Sequence, residues 1–469
     1  MKSNFNNFFI VFLGNLVHLI STIGTALVLP LIFEVDSYGY LKLFSLYFGY
    51  VGLFHFGILD GIYLKFAGIN IKSFDLMKFR SIYYFFIFTQ IIFLFIGLIF
   101  SFLLLDGNFL FVSTMIFLNL ISQNNNTFFQ FLSQILLRFK EYSTRMILLA
   151  FSNIFIILYC LLFNIKDYKF YIILLTFSYF IFSILYLFKY RRFVLGPSLS
   201  IISIKSDIID LFNLGIPLML SNLIGMYITS LNKIVVSIFF VISIFGVYSF
   251  AYNFIGVLSV LISSINIVLY PTLNGLDAQK LVQKYENLNI IVIFIVLYSL
   301  LGYFVLSVII PIVFPKFLDS VLILQIAFPG LVFSSTISAI KFNYFKFLKR
   351  IKSYLWISFL FLMLNSLLYF IVNIFYPSVY AITWVSIITI ALWSLILDIY
   401  LSINFKTSWK KSNFIMFIGV FIYYFSSSLE DKSLGGILFF IFISALFLIF
   451  YSRILISLFS NKNKVFSSS

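Results

Sequence analysis

Charged and amide side chains are scarce in this chain, and those inside its apolar stretches recur at helical spacing. Asn15, His18, Thr22 and Thr25 stand at i, i+3, i+7 and i+10, one stripe of a helix. Asn222, Thr229 and Lys233 share a second stripe, and Ser249, Asn253, Gly256, Ser263, Asn266 and Tyr270 a third. His55 and Asp60 add two titratable groups to another apolar stretch. Facing stripes of this kind can line a water-filled cavity. Lys233 is the only full charge between Asp210 and Asp277, and it either faces such a cavity or snorkels to the outer interface, while His18 and His55 are candidate titrating groups. The competing use of Ser, Thr and Asn in membranes is hydrogen bonding between helices. The amide run Asn119, Gln123, Asn126, Gln130 and Gln134 has no matching stripe elsewhere, so it reads as interhelical glue or a secondary cavity wall.

Enzyme chemistry is not spelled out. No H-E-x-x-H, G-x-S-x-G, Walker or dinucleotide glycine pattern stands in a suitable context. With two His and one Cys, no metal site is expected, and no cofactor. Cys160 lies alone in an apolar run, which excludes an intramolecular disulfide. Any transport would draw on an ion or proton gradient or on the substrate itself.

The elements that carry these stripes follow from composition. Of 469 residues, 62% are hydrophobic, 21% aromatic and 10% charged, with a mean hydropathy of +1.12. Soluble domains average about 45–50% apolar and about 25% charged residues, so a soluble globular protein and a disordered one are both excluded. Spanning the hydrocarbon core takes roughly 20 apolar residues. Breaking the chain at charges, Pro and Gly leaves fourteen such stretches: 8–32, 43–64, 81–105, 109–136, 146–164, 170–188, 213–240, 247–270, 288–313, 321–340, 353–375, 378–402, 412–428 and 434–459. They do not alternate as barrel strands must. The first runs past Pro30 to Phe33, too long for a signal core, and reads as an uncleaved span.

Net charge is +16, from 31 Lys and Arg against 15 Asp and Glu. With both termini cytoplasmic, only Lys42, Lys166, Lys169, Lys233, Lys316 and Lys432 fall in outer segments, and the other 25 fall inside. The excess is a topological signature and needs no nucleic-acid partner. The longest break, 189–212, holds the alternating segment Ile201 to Asp210, expected as an amphipathic helix on the inner surface. The seventh span is expected to open near Gly215-Ile216-Pro217, since Pro is tolerated in a first turn. Lys233 would then stand about 27 Å along it, in the outer half of the bilayer.

At an offset of 207 the sequence resembles itself: Tyr38-Gly39-Tyr40 falls on Phe245-Gly246-Val247, and Gly49 on Gly256. Six spans separate the two copies, so the halves keep one orientation, as parallel repeats do. The expected architecture is an all-α integral membrane protein of 14 transmembrane helices: two pseudo-symmetric six-helix bundles, 1–200 and 201–405, followed by two additional helices and a short cytoplasmic tail, 406–469.

Several short motifs resemble the polysaccharide exporter and O-antigen flippase family of the multidrug/oligosaccharidyl-lipid/polysaccharide (MOP) flippase superfamily. They are Gly215-Ile216-Pro217-Leu218, Asn232-Lys233, Gly246-Val247-Tyr248-Ser249-Phe250-Ala251 and Tyr270-Pro271-Thr272-Leu273, with Pro30, Gly57, Asp60-Gly61 and Phe314-Pro315-Lys316-Phe317 elsewhere. The resemblance implies a non-enzymatic flippase of the bacterial cytoplasmic (inner) membrane. It would move an undecaprenyl-diphosphate-linked oligosaccharide for O-antigen, lipopolysaccharide or a similar surface glycan, alongside a polysaccharide polymerase and a chain-length regulator. Relatives often carry an acidic residue where Asn232 stands, so an acid-dependent coupling does not transfer to that position. The substrate cavity expected from these stripes comprises Asn15, His18, His55, Asp60, Asn222, Thr229, Lys233, Asn253 and Asn266. A multidrug or cation antiporter of the same superfamily (MATE-like) is the alternative, and a membrane glycan polymerase a more distant one. The antiporter should hold acidic residues in its cavity, and the polymerase a sizeable charged outer loop.

Overall fold

A computed structural model describes residues 2–67, 74–274 and 278–465. Contacts divide the chain into two units, Met1–Ser249 and Phe250–Ser469. Among the described residues there is no strand. Ten helices are long and apolar enough to cross a membrane, or twelve if each of two bent pairs counts as one span. The chain is a multi-pass membrane protein. Its outward apolar faces agree: on one helix alone Phe95, Ile99, Phe102 and Leu103 are exposed, which only a lipid surround tolerates.

The first unit holds α1 (Lys2–Ile32), α2 (Val35–Phe48), α3 (Ile58–Phe66), α4 (Leu76–Leu104), α5 (Gly107–Ile135), α6 (Phe139–Leu162), α7 (Tyr168–Lys189), the single turn α8 (Arg191–Val194), α9 (Lys205–Phe239) and the start of α10 (Ile242–Asn274). Asp75 and Asp167 cap α4 and α7, each carboxylate accepting from a backbone N–H of the first turn. The core is aromatic, with Phe79, Tyr83, Phe86, Phe128, Phe129, Tyr186 and Tyr190 in one cluster.

Glycine decides how closely two of these helices approach. Phe56 and Gly57 both have positive φ, which breaks the second expected span and bends it by 59°. The break leaves Gly57 and Gly61 one turn apart at the start of α3, the small-xxx-small spacing of close membrane packing. A Cβ on Gly57 would lie 2.6 Å from the Gly215 carbonyl carbon, and one on Gly61 would collide with the Leu211 carbonyl. The second close approach is reciprocal. A Cβ on Gly39 would strike the Ile242 carbonyl oxygen, and one on Gly246 would lie 2.7 Å from the Val35 carbonyl oxygen. Both pairs are related by the offset of 207, so the repeated glycines meet as equivalent surfaces do about a two-fold axis.

Two expectations are corrected here. Ile201–Ile204 forms a turn and Lys205 already opens α9, so no separate surface helix exists at 201–210. Ile204, Ile208 and Leu211 belong to the protein core, and Asp207 pairs with Lys65 at 2.9 Å and Lys78 at 2.7 Å. Ile204, Ile208 and Leu211 therefore face protein, while Ile201, Ile202 and Ile209 stay exposed. For the same reason the seventh span does not begin at Gly215; Pro217 lies inside α9. Pro is accepted within membrane helices where neighbours re-satisfy the freed backbone groups.

The second unit continues α10 and adds α11 (Ala278–Ser299), α12 (Leu301–Val313), α13 (Ser320–Ala327), α14 (Gly330–Thr336), a wide π-type turn at Ile337–Lys341, α15 (Phe342–Phe347), α16 (Ile351–Phe375), α17 (Val379–Phe405), α18 (Lys410–Ser427) and α19 (Lys432–Val465). Each of the fourteen expected stretches falls on a helix or a bent pair. α5 and α18 fall short of the apolarity of the others, because α5 carries its amides and α18 opens on Lys410-Lys411-Ser412-Asn413.

Gly246→Ala and Gly61→Ala should each lower the thermal unfolding temperature of the purified protein, since backbone must move to admit the methyl. Overpacking of this kind costs about 1–3 kcal/mol. Gly52→Ala, whose Cβ would meet nothing within 4 Å, should leave the temperature unchanged. Equal melting of all three variants would contradict the packing described.

Candidate functional site

In the first unit two lysines stand inside helices. Lys42 lies seven residues into α2 and Lys233 six residues before the end of α9, each about 10 Å from its helix end at the ordinary rise. The Lys42 ammonium sits 5.1 Å from the Tyr38 ring centre. Hydroxyl pairs join the same two segments: Tyr47 with Ser237 at 3.1 Å, and Tyr50 with Ser230. The Asn232 side chain is buried, its Oδ1 accepting from the Lys233 backbone N–H at 2.8 Å.

The remaining predicted residues scatter. Asn15, His18 and Thr22 are exposed on α1, and Asn222 is exposed on α9. His55 and Asp60 are buried at the break before α3, where His55 Nδ1 accepts from the Gly57 N–H at 3.1 Å and Nε2 stands 3.9 Å from Asp60 Oδ2. That pairing closes the bend between the two half-helices. Asn253 is half-buried in the second unit. Thr229 and Asn266 lie on α9 and α10, but their side chains are outside the described structure.

His18 instead borders a cavity of about 340 Å³ within the first unit, with Ser21, Thr25, Gln123, Gln130, Arg145 and Asn153 among the lining. The amide run of α5 serves both expected roles. Asn119 and Asn126 tie α5 to α7, through Thr176 Oγ1 at 2.6 Å and the Tyr179 carbonyl at 3.0 Å, while Gln123 and Gln130 face the cavity.

Charges were the markers used to end spans, and that hid three residues. Lys42 and Arg145 stand inside α2 and α6 rather than in loops. Lys341 is fully buried in the second unit, donating to Asp398 Oδ2 at 2.8 Å, to the Ser394 carbonyl at 2.7 Å and to the Ser394 hydroxyl. Tyr285 donates to the other Asp398 oxygen at 2.5 Å, and Asn413 donates to Oδ2 at 2.6 Å. This network joins α11, the π-type turn, α17 and α18. Lysine and aspartate 57 residues apart leave no local signal that they would pair.

No protein-family model matches the chain, and no curated protein matches it. Solved structures do. Lipid II flippase MurJ in an inward-closed conformation superposes with a TM-score of 0.69 at 17% identity, covering 96% of this chain and 100% of that one. An inward-facing multidrug-resistance MATE transporter of the MOP superfamily superposes at 0.57 and 15% identity, covering 84% and 96%. The fold is that of these two structures, one a flippase and one a transporter, and neither is an enzyme.

The fold does not by itself choose the charge of a ligand; the side chains must. Asp60 and Asp398 are the buried carboxylates among the described residues, and each has a basic neighbour, His55 or Lys341. Removing one partner of a buried ion pair typically costs about 3–5 kcal/mol, because the other charge is left uncompensated. Lys341→Met should therefore lower thermal stability sharply, and Asp398→Leu in the same chain should restore much of the loss. A double variant no more stable than Lys341→Met would show that the pair is not the source of the effect.

Proposed function

We infer that the protein is a flippase for an anionic lipid-linked oligosaccharide, the undecaprenyl-diphosphate-linked repeat unit of O-antigen or a similar surface polysaccharide. What supports this reading is that α2 and α9 each carry a lysine inside the helix, Lys42 and Lys233, and that hydroxyl pairs join the same two segments. A diphosphate needs concentrated positive charge, sugar hydroxyls need amide and hydroxyl partners, and an isoprenoid tail needs only lipid. Lys42 and Lys233 supply the first, with the Tyr47, Tyr50, Ser230 and Ser237 hydroxyls beside them. His18, His55, Asp60, Asn15, Asn222, Thr229, Asn253 and Asn266 belong to the wider polar path in this reading.

The transport cycle follows from the repeat. Fourteen spans with both termini cytoplasmic would form two bundles, 1–200 and 201–405, with 406–469 appended. Rocking of such repeats about a central site alternates access from the two leaflets, drawing on an ion or proton gradient. A polymerase and a chain-length regulator would take the product at the outer face of the inner membrane. A cation antiporter fits less well, since the buried carboxylate Asp398 is already paired with Lys341.

Surface glycan measured at matched protein abundance tests this. A charge-assisted hydrogen bond is worth about 1.5–3 kcal/mol, tenfold or more in occupancy. Lys42→Ala and Lys233→Ala should each reduce surface glycan about tenfold, Lys233→Glu should abolish it, and Lys233→Arg should keep part. Near-normal glycan in Lys233→Ala would remove the lysine from the substrate path. A deletion strain with normal glycan and new sensitivity to cationic drugs would replace the flippase with an antiporter.

A further inference from the structure

The cavity bordered by α1, α2, α5, α6 and α7 holds a charge that needs balancing. Arg145 is 4% exposed. A guanidinium does not give up its proton in proteins, so burial cannot be relieved by neutralisation. Its two terminal nitrogens donate to the Asn126 carbonyl at 2.6 Å and to Gln130 Oε1 at 2.5 Å, both neutral acceptors. Its Nε–H has no partner. Among the described residues Arg145 forms no ion pair, and the cavity lining contains no Asp or Glu. Glu141, one turn earlier on α6, is engaged by Arg138 at 3.5 Å, by Lys189 at 3.7 Å and by the Tyr190 hydroxyl.

The rest of the wall offers donors rather than negative charge. Ser21, Thr25, Gln123, Thr127, Asn153 and Ser178 line it, with Tyr171 and Tyr179 on the α7 side. Asn153 is fixed there, donating to Ser21 at 2.9 Å and Thr25 at 3.0 Å while accepting from the Tyr171 hydroxyl at 2.6 Å. A water occupies about 30 Å³ of liquid, so 340 Å³ admits a small anion with several waters, or one carboxylate-bearing sugar ring.

We propose that this cavity is a binding site for a single monovalent anion, held on the guanidinium of Arg145. The inference does not rest on the proposed substrate, because it stands on Arg145 and neither Lys42 nor Lys233 lines this cavity. Two sources share the required chemistry: a dissolved halide, and the carboxylate of a sugar acid, which would use the planar fork of Arg145 in bidentate fashion.

Thermal unfolding of the purified full-length protein in detergent separates them. Sodium chloride, or sodium glucuronate, is titrated against sodium isethionate at constant ionic strength. Binding to the folded state alone should raise the unfolding temperature with a saturable dose dependence, by about 2 °C or more at saturation. A shift with chloride identifies the halide, and a shift with glucuronate alone identifies the sugar acid. Arg145→Gln should remove the saturable shift, and Arg145→Lys should weaken the glucuronate response at least tenfold. As a check on the unmutated protein, bromide anomalous scattering should locate the halide, where chloride binds, within hydrogen-bonding reach of the Arg145 guanidinium. The proposal is overturned if neither anion gives a saturable shift, if the shift persists in Arg145→Gln, or if bromide sits elsewhere.

Discussion

The arrangement of the first unit depends on backbone approaching backbone at glycine. Gly39 and Gly246 let α2 and α10 meet with no side chain between them, and Gly57, Gly61 and Gly215 do the same for α3 and α9. In lipid there is little hydrophobic force to drive one apolar helix onto another, so close packing and interhelical hydrogen bonds must supply the association. Short interaxial distance brings Tyr47 and Tyr50 within reach of the α9 serines. A bulkier residue at any of these glycines would separate the helices before it disturbed the lysines themselves.

The second governing constraint is the cost of charge in hydrocarbon, and the chain meets it differently in its two units. In the second unit the buried lysine is answered by an aspartate that also accepts from Tyr285 and Asn413, a clamp across α11, the π-type turn, α17 and α18. In the first unit Arg145 has only neutral acceptors among the described residues, so a negatively charged ligand would relieve the cost of its burial.

The all-helical membrane fold was legible in sequence because hydrophobic length is a strong signal: the apolar stretches lie on helices, ten of them, or up to twelve spans, long and apolar enough to cross a membrane among the described residues. The break at Phe56 and Gly57 was not legible, since a positive φ in the middle of an apolar run has no compositional trace. The start of α9 was missed because Ile201 to Asp210 has the same amphipathic spacing whether its apolar side faces membrane or protein. Arg145, Lys42 and Lys341 were read as loop charges for a common reason. A single sequence cannot distinguish a cation that ends a span from one that is buried against a distant helix.

The central claim is that this chain moves an anionic lipid-linked oligosaccharide between leaflets. The most direct measurement is transfer of undecaprenyl-diphosphate-linked oligosaccharide across reconstituted vesicles, read as its accessibility to a membrane-impermeant glycosidase, with the ion gradient varied. Vesicles with the unmodified protein should expose the inner-leaflet pool far faster than protein-free vesicles, without ATP, and Lys233→Glu vesicles should behave as protein-free ones. Transfer no faster than in protein-free vesicles under every gradient would contradict the account.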